Sequence, residues 1–197
     1  MDIANPNDLT RELARRARKT AKIRFVAANR LSTSHRYSEW SVTLASIVLI
    51  VIPLMDLAGI GTPKDPRAVR AVEVTLAVAV LAFSLLLAHE SYGLRSERMH
   101  QCGIELNTLA DEASLMANVV TSEQCLALVN RYQYILEKAE NHSLSDYIYY
   151  KLNESEYNSM ALRVVAWFRY SVSRGVSLLH YIGLVALLVW ALKWQLF

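Results

Sequence analysis

Three long apolar runs decide most of what this chain can fold into. Residues 41–61 are broken only by Asp56, residues 69–89 carry Arg70 and Glu73 near their start, and residues 176–192 hold His180. A helix needs about 20 apolar residues to cross a bilayer core of ~30 Å, and each run approaches that length. Lipid offers the backbone no hydrogen-bond partner, so runs of this kind are expected as helices rather than strands. Buried helices of a soluble bundle pass the same length test. For the third run a docked or membrane-parallel helix stays open as well. The first run starts after a long polar segment, and no small-x-small cleavage site follows it. It therefore reads as an uncleaved anchor, and Asp2, Asp8 and Glu12 argue against a mitochondrial transit peptide.

Composition agrees with this frame. The chain is 53% apolar and only 20% charged, which excludes a disordered chain. Six Gly and four Pro are too few for an all-β architecture of many tight turns. Cys102 and Cys125 form no CxxC pair, so neither a metal ribbon nor a disulfide framework is expected. A net charge of +3 is too small to argue for nucleic acid.

Charge sets the expected topology. Arg11, Arg15, Arg16, Arg18, Lys19, Lys22, Arg24, Arg30 and Arg36 precede the first run, and positive flanks stay in the cytoplasm. The N-terminus is then inside, and the link at residues 62–68, with Pro63 and Pro66, forms a tight bend outside. The chain is expected to divide into a cytoplasmic basic amphipathic helix (1–39), a transmembrane helical hairpin (40–92), a cytoplasmic helical region (93–173) and a third transmembrane helix (174–197).

Helical periodicity fills the polar parts. Leu9, Leu13, Ala17, Ala21 and Phe25 recur every four residues, and Arg11, Arg15, Arg18 and Lys22 mark a second face. That basic face is either a solvated surface beside anionic lipid headgroups or a contact for an anionic partner. Cys102, Leu106, Leu109, Ala113, Met116 and Val120 continue the second span as one helix, with Gly93 and Gly103 as its expected bending points. Thr121 to Gln124 reads as a capping box, opening a helix whose stripe is Cys125, Val129, Tyr132, Leu136 and Ala139. Asn141 suits a helix end, and Ser143 with Asp146 reads as a second box. From Leu144 a final helix is expected to run through Tyr157 and Phe168 into the third run. Ala71, Ala77, Ala79 and Ala82 offer a close-packing face on the second span.

Chemistry is sparse. His89-Glu90 lacks the second histidine of a zinc-protease helix, and no GxSxG, phosphate loop or dinucleotide fingerprint occurs. His142, Ser143 and Asp146 are close in sequence, but helix capping accounts for the same residues. No catalytic residue, metal or cofactor is expected. Asp56 and Glu73 are nearly equidistant from the Pro63–Pro66 bend, so both fall at the outer mouth. There they are candidate pore-mouth carboxylates of an oligomer, or interface carboxylates neutralised by Lys64, Arg67 or Arg70.

The block Tyr134-Ile135-Leu136, Glu140-Asn141-His142-Ser143 and Asp146-Tyr147 resembles the SLATT family. These are two-transmembrane effectors associated with SMODS nucleotidyltransferases and SLOG domains. The order of parts is similar too, although the family has two spans and this chain offers a third run. The resemblance implies a bacterial antiviral effector of the inner membrane. Such a protein would be an oligomeric pore or channel, opened by a nucleotide second-messenger enzyme or a reverse transcriptase, without direct nucleic-acid binding. Asn141, His142, Asp146 and Tyr147 match the family block, for which structural coupling is the expected role. The expected fold is thus an all-α membrane protein: a transmembrane hairpin, a cytoplasmic helical bundle and a third C-terminal span. Two rival functions remain, a non-conducting membrane anchor that recruits a partner and a small membrane enzyme using His142 and Asp146.

Overall fold

The computed structural model describes residues 5–59, 66–141, 143–154, 160–161, 163–172 and 186. No strand occurs among them. Five helices follow one another: α1 (Pro6–Leu57), α2 (Pro66–Glu90), α3 (Tyr92–Met116), α4 (Ser122–Glu137) and α5 (Leu144–Asn153). Residues 163–172 are helical as well.

Local chemistry accounts for most boundaries. Asn5 caps α1 with its side-chain oxygen on the Asn7 amide at 3.1 Å. Pro6 then takes the first helical position, where a missing N–H costs nothing, and Asp8 meets the positive end of the dipole. The helix closes at Gly59, whose φ of 67° lies in the left-handed region open to glycine. Both expected capping boxes are present, Thr121 with Gln124 and Ser143 with Asp146.

Some boundaries differ from expectation. The second span does not continue unbroken, and its break falls at Ser91 (φ 48°) rather than at Gly93 or Gly103. The Ser91 amide and hydroxyl both reach back to the Ala88 carbonyl at 3.4 Å, closing α2 in a tight turn. The helix begun at Leu144 ends at Asn153, where the Glu154 amide bonds to the Tyr150 carbonyl. The polar run Asn153-Glu154-Ser155 gives it no apolar stripe to continue. Of the third apolar run only residue 186 is described, and His142 and residues 60–65 of the expected bend lie outside the described residues.

The chain forms two compact units, residues 1–32 with 93–171 and residues 33–92 with 172–197. The first is a bundle. Leu13, Ala14 and Ala21 of α1, Leu106, Leu109 and Ala113 of α3, and Leu128 and Ile135 of α4 form its core. Full burial of each leucine contributes about 1.5–3 kcal/mol. The α4 stripe is rotated slightly from the expected one, with Leu128 and Ile135 deepest and Val129 and Leu136 at the margin. Helices α1 and α3 approach tightly at Gly103, where a Cβ would stand 2.8 Å from the Phe25 ring.

The second unit holds the rest of α1 and α2. Ala45 and Ile52 pack on Leu76 and Val80, flanked by Val48 and Leu49. The antiparallel seam therefore uses the small residue of α1. Ala71, Ala77, Ala79 and Ala82 lie exposed and are not part of it. Two helical stretches, within Pro6–Met55 and within Arg70–Met116, are long and apolar enough to cross a membrane.

Candidate functional site

The bundle's least ordinary chemistry gathers where α4 turns into α5. The turn presents the Glu140 carbonyl and carboxylate and, one residue into the next cap, Ser143. Three arginines hold it. Arg30 of α1 forks onto Asp146, with Nε at 2.7 Å from Oδ1 and Nη2 at 3.2 Å from Oδ2. The same carboxylate accepts the Ser143 amide at 2.9 Å and the Ser143 hydroxyl at 2.7 Å. Asp146 is 1% exposed, so this charge is out of water and its oxygens are filled by four donors. Arg95 of α3 places Nε 2.9 and 3.1 Å from the two Glu140 carboxylate oxygens. Arg24 of α1, also 1% exposed, donates to the Glu140 carbonyl and to Met99 Sδ.

Arg24 is the unusual member. Its Nε has no hydrogen-bond partner, and an unsatisfied buried donor costs about 1–3 kcal/mol. The Ser96 hydroxyl, 2.8 Å from the Ala28 carbonyl, adds another tie between α3 and α1. One short turn is thus fixed to two helices by charge-assisted bonds, an arrangement that can act as a latch. Among the described residues no three His, Cys, Asp or Glu side chains are placed to hold a metal.

Of the family-like block, Asp146 stands at the centre of this node and Asn141 lies exposed beside it. Tyr147 is half-buried, with Lys151 Nζ 5.1 Å above its ring. Sequence reasoning found Asp146 through its capping box but missed Arg24 and Arg30, counting both as cytoplasmic flank charges. A signal for Arg24 was present: it falls in step with Ala17, Ala21, Ala28 and Leu31, all buried.

The basic face of α1 is mostly engaged within the bundle. Arg11 bonds to Asn118 at 2.6 Å, Arg18 to Asp111 and Ser114 at 3.1 and 3.0 Å, and Lys22 to Glu154 at 2.7 Å. Arg15 and Arg16 share Glu12, both at 2.7 Å. Hydrogen bonds from Arg15 and then Arg16 lower the Glu12 pKa to about 2. Arg11, Arg15 and Arg18 also border a shallow groove of about 340 Å³.

In the hairpin unit Glu73 is half-buried on α2, and the side chain of Asp56 lies outside the described residues. A mixed groove of about 510 Å³ opens between α1 and α2, bordered by His35, Glu39, Thr43 and Ser84 along with Val42 and Leu87. His35 Nε2 and Glu39 Oε1 stand 3.4 Å apart in it.

Comparison with known proteins gives a family match. The model of SMODS and SLOG-associating 2TM effector domain family 5 matches residues 7–192. No curated protein and no solved structure matches the chain.

Proposed function

The chain belongs to the SMODS and SLOG-associating 2TM effector domain family 5, and from that premise we propose that it is a pore-forming effector of bacterial antiviral defence. Membership makes it a helical two-transmembrane effector, a membrane protein of antiphage defence systems. The finer reading is a homo-oligomer in the inner membrane, its N-terminus cytoplasmic. It depolarises or permeabilises the membrane when a partner sensor is triggered. That sensor is a nucleotide second-messenger enzyme or a reverse transcriptase.

One observation carries this reading. Outside their narrow seam, α1 and α2 turn large apolar side chains outward, among them Trp40, Ile50, Leu54, Val78 and Leu85. Such a surface is stable in lipid and aggregates in water. A single hairpin encloses no water path, so conduction requires several copies. The bundle supplies the control: a partner that binds better when the α4–α5 turn is released from Arg24, Arg30 and Arg95 shifts the population toward an open state. Asp56 and Glu73 then fall near one mouth of the path.

The test is to express the full chain in bacteria together with its flanking genes, and to reconstitute the purified chain together with its triggering partner in liposomes. Membrane potential is followed by dye in the cells, and K⁺ efflux in the vesicles. Depolarised cells and leaking vesicles are expected. Polarised cells and tight vesicles, with oligomers intact by crosslinking, overturn the pore and leave a non-conducting anchor.

A further inference from the structure

The hairpin has two unlike flanks. At about 100° per residue, Tyr37, Trp40, Leu44, Ile47, Val51 and Leu54 fall together on one side of the α1 seam. All six are exposed and apolar, apart from the tyrosine hydroxyl. On the other side His35, Glu39, Thr43 and Ser46 follow in steps of four, four and three. Further along the same side the exposed residues Ile50 and Leu57 follow. Helix α2 repeats the asymmetry. Val74, Val78 and Leu85 face away, whereas Glu73, Ala77 and Ser84 lie on one line in steps of four and seven.

The two polar flanks meet. The groove of about 510 Å³ between the helices brings Ser84 of α2 against His35, Glu39 and Thr43 of α1. Val42, Leu87 and Ala88 complete its lining, and Ser46 lies on the same side of α1 beyond it. The Ser46 hydroxyl spends its proton on the Val42 carbonyl at 2.9 Å and so presents lone pairs outward. The Glu39 side chain is 63% exposed and stands just before the apolar run, with Thr43 and Ser46 inside it. A carboxylate and hydroxyls offer oxygens that replace the hydration shell of a cation, not of an anion.

We propose that this flank lines the water-filled path when hairpins assemble, and that the path carries small cations. Glu39 forms an acidic ring at one mouth, with Thr43, Ser46 and Ser84 as the wall. The inference rests on the pore reading above and adds what passes and which residues touch it.

Two measurements on the full chain in planar bilayers test it. The first is K⁺ against Cl⁻ permeability from reversal potentials. Glu39→Gln is expected to lower the cation preference several-fold, and Glu39→Lys to turn it toward anions. The second is block by a cationic, membrane-impermeant thiol reagent. Thr43→Cys and Ser46→Cys are expected to be modified and blocked, Leu44→Cys and Ile47→Cys to be spared. The native Cys102 and Cys125 are buried and stay silent. A wild-type chain that conducts with selectivity indifferent to Glu39, or with block on the Leu44 flank instead, overturns the lining while the pore stands. A wild-type chain that never conducts overturns both. Should Glu39 variants fail to assemble, the Ser46→Cys result decides the lining by itself.

Discussion

Asp146 does two jobs with one carboxylate. It closes the capping box that starts α5, and it neutralises Arg30 across the bundle. Removing one partner of a buried pair costs about 3–5 kcal/mol, because the other charge is left behind. Arg30 is 26% exposed and regains some water, so the lower end applies. Asp146→Ala is expected to lower the melting temperature in detergent by roughly 5–10 °C, read by circular dichroism. Asp146→Asn keeps an oxygen for the cap and should lose less. Glu12 shows the same pairing at an exposed site, where it contributes to titration more than to stability. Its folded pKa of about 2 lies below the ordinary glutamate value of 4.5. The favourable pairing is therefore complete above the unfolded value and is lost as pH falls toward 2. An NMR titration of the Glu12 carboxyl should give that low midpoint, and Arg15→Gln with Arg16→Gln should move it back up.

At the scale of the helix, the sequence was most readable where local rules act alone. Two capping boxes and the α1 and α3 stripes follow from spacing, because a box needs only four residues and a stripe only one face. The break at Ser91 was not readable, since a serine at positive φ carries no local signature and glycine stood two residues away. The buried arginines were hidden for another reason: a charge inside a helical stripe is normally solvated, and only the tertiary partners Glu140 and Asp146 make its burial tolerable. The polar side of the hairpin was missed because Thr43 and Ser46 sit inside a run that reads as uniformly apolar, whereas His35 and Glu39 precede it. Gly103 gives a test of how tightly α1 and α3 are set. Alanine gains about 1 kcal/mol of helix propensity over glycine, but its Cβ meets the Phe25 ring, which itself packs on His100 with centroids 5.4 Å apart. Gly103→Ala should be destabilising by about 1 kcal/mol net, and Phe25→Leu in the same chain should recover much of the loss. Thermal melts of the two single variants and the double variant check it.

For the whole molecule, burial divides the labour. The bundle buries its leucines among α1, α3 and α4, whereas the hairpin leaves its largest apolar side chains outward. The chain should therefore stay in the membrane fraction after a carbonate wash and enter solution only with detergent. Recovery in the aqueous wash would contradict the two-span reading. Thiol labelling in the folded state gives a second check. Cys102 is buried and its pKa is raised, first by desolvation, so the reactive thiolate is scarce. Neither it nor the buried Cys125 should react before the bundle opens.

Ala45 and Ile52, seven residues apart on α1, both meet α2 in the hairpin seam. On such a shaft the angular phase of a later side chain is set by the count of residues before it. A single residue inserted between them would turn Ile52 about 100° out of the seam. Seven inserted residues, two turns, would return it to within about 20°. A ladder of such insertions should therefore make the stability of the hairpin rise and fall with the helical repeat rather than decline steadily with length.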